Sequence, residues 1–68
     1  LGEWRRSMME KNIDELNKTI AVKRMDLEEC EQELNSRYYP TIVRMAMMNY
    51  IEVLQQQLES YQNDLINL

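Results

Sequence analysis

The chain has 68 residues and a formal net charge of -4, with six methionines, one cysteine, one proline, one glycine and no histidine. One cysteine closes no internal disulfide, and without histidine the usual His/Cys metal sites are excluded. A single core of this size rarely supplies more than ~3 to 5 kcal/mol without a staple, so association is the route left open to it.

Further function classes fall on the same grounds. Nucleic-acid binding draws its affinity from clustered Lys and Arg on phosphates, which an acidic chain does not offer, so no nucleic-acid partner is expected. General-base histidine, a Gly-rich phosphate loop and carboxylates paired in a dry cleft are all missing from the sequence, so the chain is expected not to be an enzyme and to take no cofactor or small-molecule substrate. The longest apolar run, Met45-Ala46-Met47-Met48, is far short of the ~18 to 20 residues that span a bilayer. The opening Leu1-Gly2-Glu3-Trp4-Arg5-Arg6-Ser7 is followed by no apolar run of the kind a secretory signal needs. With a lone free thiol, the expected location is cytoplasmic.

Residues 1–7 are expected to form an N-terminal overhang, or to be foreign residues ahead of a start at Met8 or Met9. Residues 8–68 form a single helical domain. Its first helix, about 8–37, is expected to start near Ser7, a good N-cap with Glu10 in the capping-box position. Along it runs a heptad seam with a positions at Ile13, Ile20, Leu27 and Leu34 and d positions at Met9, Leu16, Lys23, Cys30 and Arg37. Lys23 interrupts the apolar layer, a device that lowers stability but penalises wrong registers and oligomers. Asp26, Glu28, Glu29, Glu31 and Glu33 crowd the second half of the helix and read as a solvated face; they lack the Gly and alternating oxygens of a calcium loop. Cys30 lies among them, so its thiolate is disfavoured and it reads as a small seam residue rather than a nucleophile.

Pro40 lacks an N–H, clashes with a preceding helical turn and pushes Tyr39 toward extended geometry, so the helix has to stop before it. A second seam follows over about 41–67: Arg44, Met47, Ile51, Leu54, Leu58, Tyr61, Leu65 and Leu68. It is out of phase with the first across the junction, which favours a turn near Tyr38-Thr41 over a kinked helix. The expected fold class is therefore all-α: two long amphipathic helices in an antiparallel coiled-coil hairpin. One register pairs Leu34 with Met47, Cys30 with Ile51, Leu27 with Leu54, Lys23 with Leu58, Ile20 with Tyr61, Leu16 with Leu65 and Ile13 with Leu68, and its centre falls at the Pro40 break.

A second stripe, Val43, Ala46, Tyr50 and Val53, lies beside the seam of the second helix, with Ile42, Met45 and Met48 widening it past the ~100 degree arc that one neighbour covers. Opposite it the first helix offers only Met25, Leu27, Cys30 and Leu34, so another chain is the expected cover. Six methionines at helical spacing read as core or adaptable contact surface rather than soft-metal ligands, and the four tyrosines as amphipathic contact residues. In outline such a small acidic helical hairpin resembles those among bacterial secretion co-chaperones, a likeness that carries over no functional residue.

The function expected from these residues is that of a non-enzymatic protein-protein interaction module, a small adaptor or chaperone-like hairpin that buries an apolar helical face. Val43, Met45, Ala46, Met48, Tyr50 and Val53 are the candidate partner-binding residues. The partner is another protein or further copies of the chain, as a dimer or higher. The alternative is a coiled-coil oligomerisation segment of a larger structural protein.

Overall fold

A computed structural model describes residues 2–67, leaving the Ile13–Leu68 pair and the Leu1 end of the overhang outside the described residues. The described residues form two helices, α1 (Gly2–Ser36) and α2 (Thr41–Ile66), joined by a short link, with no strand among them. They pack on each other as a hairpin. A single straight helix of this chain would approach ~100 Å at 1.5 Å per residue. The observed long axis is 57 Å, with a cross-section of 16 × 13 Å.

α1 begins at Gly2, so Ser7 sits inside the helix and does not cap it. The physical reason is local: Glu3, Trp4, Arg5 and Arg6 contain no breaker, and a serine inside a helix costs only a few tenths of a kcal/mol. The overhang is thus the continuous first turns of α1. At the other end the helix closes at Ser36, one residue short of the expected Arg37, although the Arg37 N–H still donates to the Glu33 carbonyl at 3.3 Å.

Pro40 makes the break. It stands at φ -57° and ψ 153°, extended geometry that no helix continues, and its carbonyl accepts the first bond of α2 from the Arg44 N–H at 2.9 Å. No side chain caps α2 at this end. The link is held from the α1 side instead: the Tyr39 hydroxyl donates to a Glu33 carboxylate oxygen, which also receives Arg37 Nε at 3.3 Å. The Arg37–Glu33 pair is largely exposed and is worth under ~1 kcal/mol, but the two contacts together gather the residues around the chain reversal onto one acceptor.

Burial defines how far the helices run side by side. The sheltered positions of α1 begin at Ile13 and end at Leu34, and those of α2 begin at Met47 and end at Leu65. These limits match the register centred on Pro40, and that register predicts a rod of about 57 Å at 1.5 Å per residue. Gly2 to Asn12 are exposed throughout and run beyond the end of α2 for roughly three turns. The core is short: among the described residues only Ile20, Leu54 and Leu58 are buried, and Leu54 alone is fully so, at 0% exposure.

Candidate functional site

Seam and stripe residues fall into different environments. Ile13, Leu16, Lys23, Leu27, Cys30, Leu34, Met47, Ile51, Tyr61 and Leu65 are half-buried, and Ile20, Leu54 and Leu58 are buried. Met9, Arg37 and Arg44, at the ends of the two heptad patterns, are exposed, because each lies where the facing helix has stopped or not yet closed in. All six stripe residues are exposed: Val43, Met45, Ala46, Met48, Tyr50 and Val53. Tyr50 leaves 47% of its surface in water, and Ile42, at the first turn, leaves 82%.

The stripe owes its position to heptad phase. With Ile51, Leu58 and Leu65 at a and Met47, Leu54 and Tyr61 at d, Val43 and Tyr50 take g and Ala46 and Val53 take c, so they turn out from the d side of the seam. Met45 and Met48 take b and e and lie on the opposite flank. The pattern therefore joins two surfaces that the structure divides, one of four residues and one of two.

α1 also carries exposed apolar residues away from the seam. Met25 does not help cover α2 but is 59% exposed, and Val22 is exposed with it. Together with Trp4 and Met8 they occupy c and f, the outer positions of α1. The available signal was the phase itself: Trp4 and Met25 share one heptad position and Met8 and Val22 another. In an antiparallel pair the g flanks of both helices border one face, so c and g of α2 and c of α1 lie on the same broad side of the hairpin. The other side of α1 is polar, formed by Glu10, Asp14, Asn17, Arg24, Glu28 and Glu31.

The polar chemistry is plain. The Cys30 thiol is pushed up by partial burial first, then by the charges of Asp26 and Glu29; of the sequence neighbours Glu28, Glu29 and Glu31, Glu29 is the one that acts on it. Asp26, one turn before Cys30, is half-buried, while Glu28 and Glu31 face away from the seam. The Tyr39 hydroxyl is likewise raised, chiefly by its hydrogen bond to Glu33, then by desolvation and the carboxylate's charge, against a lowering from Arg37. Of the acidic run, only Asp26 and Glu33 are sheltered. Among the described residues no group of three His, Cys, Asp or Glu side chains could hold a metal. A concavity lined by Glu28, Glu31, Gln32, Asn35 and Ser36 lies along one helix only and is mainly polar, so no second element closes it over a ligand. No helix among the described residues is long and apolar enough to cross a membrane.

Comparison with protein-family models, curated proteins and solved structures finds no match to this chain. The functional reading rests on the surface itself.

Proposed function

We propose that this hairpin is a non-enzymatic protein-protein interaction module, adaptor or chaperone-like in action, which works by burying the α2 stripe against another chain. One observation carries the reading: Val43, Ala46, Tyr50 and Val53 stand exposed in a contiguous row on the helix whose other face holds Leu54 and Leu58 out of water. Isolated exposed apolar residues are ordinary, but a row about three turns long on a two-helix rod marks an interaction face. Tyrosine is enriched among interface hot spots, and Ala46 leaves room for a partner helix to approach closely.

The test pairs two substitutions with a control. Tyr50→Ala is expected to weaken association by ~2 kcal/mol, about thirtyfold in Kd, and Ala46→Glu to abolish it by placing an unpaired charge in the contact. Both keep the helical circular dichroism of the parent, because neither side chain supports the seam. If assembly state and partner capture stay unchanged in both variants, the stripe is not an interface. The second reading, an oligomerisation segment of a larger structural protein, draws support from the 57 Å rod shape. Sedimentation separates the two: a homogeneous assembly without any other protein favours it, and a chain ordered only by a different protein favours the adaptor.

A further inference from the structure

We infer that the chain covering the stripe is a second copy of this one, packed antiparallel on the side that carries the stripe about a two-fold axis near Thr19, so that each α1 overhang lies along the other copy's turn half. This rests on the stripe being an interface and names what fills it.

Area is the first argument. A compact monomer of 8.3 kDa exposes roughly 4,600 Å² by the scaling of folded proteins. The hairpin exposes 5823 Å². The surplus, about 1,200 Å², exceeds the roughly 800 Å² that each partner of a standard interface buries. One further copy suffices to remove it.

Placement is the second. Exposed apolar residues stand at opposite ends of the hairpin: Trp4, Met8 and Met9 on the overhang, and Val43, Ala46, Tyr50 and Val53 beside the turn. Neither reaches the other within one molecule, since the overhang has no α2 beside it. Laying α1 of one copy along the full length of α1 of the other, reversed, sets position x against position 38 - x. In the hairpin register Tyr50 stands level with Glu31 and Val53 with Glu28. Reversal therefore brings Tyr50 level with Ser7 and Val53 level with Glu10 of the other copy, within a turn of Met8. The overhang then fills the place beside the stripe where the other copy's α2 is absent. Two-fold symmetry makes the contact twice, the closed isologous arrangement that most homo-oligomers adopt.

Charge selects the direction. Asp26, Glu28, Glu29, Glu31 and Glu33 put five negative charges within eight residues near the turn, and the overhang, residues 2–12, holds Arg5, Arg6 and Lys11 against Glu3 and Glu10. A parallel pair stacks the acidic run on its own copy, where like charges repel. The antiparallel pair sets it against an overhang that is net positive by one charge, with Arg5 level with Glu33 on the shared face, while Glu28 and Glu10, also level, lie on the other side of α1. Both the apolar and the charged complement of the turn half are thus carried by the overhang of the same sequence.

Trp4, the only tryptophan and 67% exposed in the single hairpin, gives an intrinsic probe. On raising the protein concentration, sedimentation equilibrium should report twice the 8.3 kDa chain mass and the Trp4 emission should shift to shorter wavelength along the same curve. For direction, one preparation carries Met8→Cys with Cys30→Ser and another Val53→Cys with Cys30→Ser. Mixed and mildly oxidised, they should give the 8–53 disulfide between chains. A dimer that instead yields only the 8–8 product is parallel and overturns the inference, as does a chain that stays monomeric at every concentration. Monomeric chain with partner capture lost in Ala46→Glu leaves the stripe reading standing and removes only the second copy. An assembly indifferent to both Ala46→Glu and Tyr50→Ala removes the stripe reading itself.

Discussion

Leu54 and Val53 are neighbours in sequence, and the fold assigns them opposite energetic weight. Leu54 is wholly out of water and Val53 is 46% exposed. Truncating a buried leucine to alanine loses its transfer free energy and leaves a cavity, ~2 to 5 kcal/mol together. A two-helix rod with three buried residues has at most ~3 to 5 kcal/mol to lose, so Leu54→Ala is expected to remove most of the stability of the single hairpin. At ~4 to 8 °C of Tm per kcal/mol for a domain of this size, even the lower bound lowers the midpoint by ~8 °C or more. Val53→Ala, which removes a half-solvated side chain, should cost under ~1 kcal/mol. The assay is thermal unfolding followed by circular dichroism at 222 nm, with parent and both variants at one protein concentration low enough to hold them unassociated. Should Leu54→Ala melt within a few degrees of the parent, or Val53→Ala fall as far as it does, the seam and stripe have been assigned to the wrong faces.

Lys23 is half-buried on the seam, a setting in which a lysine packs its stem and extends its ammonium to water, so Lys23→Leu should raise Tm while broadening the distribution of oligomers in sedimentation. A lowered Tm would instead mean that the charge is required. Cys30, with its thiol held above its ordinary range by partial burial and by Asp26, should react with a disulfide reagent at neutral pH more slowly than in urea-unfolded chain; equal rates would refute the seam position. Tyr39 has a folded-state pKa raised above the unfolded value, so its contact with Glu33 contributes below the ordinary phenol pKa, near ~10, and is lost as pH rises through the higher folded value. In ultraviolet titration the parent should therefore show one phenol ionising later than the rest, and Tyr39→Phe should lack that late step; a late step that persists in the variant belongs to another tyrosine.

The sequence by itself determined the two helices, the break and the seam. Heptad spacing repeats the same local geometry every two turns, and Pro40 forbids helix through Tyr39 whatever surrounds it, so both can be read without coordinates. Helix ends were less legible: nothing in residues 2–6 marks a stop, and Ser7 as a cap was an equally good local solution that continuous helix displaced. Tertiary structure alone decided which apolar residues are left over. Heptad phase places Met25 and Val22 on α1 and Met45 and Met48 on α2 off the seam, but whether they are sheltered depends on how far the facing helix wraps around each flank, which only packing decides. The Tyr39–Glu33 contact was equally hidden, because it joins residues six apart across a chain reversal that no helical spacing describes. The gathering of Met8 and Val22 of α1 on the same side as the α2 stripe arises in the same way, from residues with separate sequence origins brought alongside each other by packing.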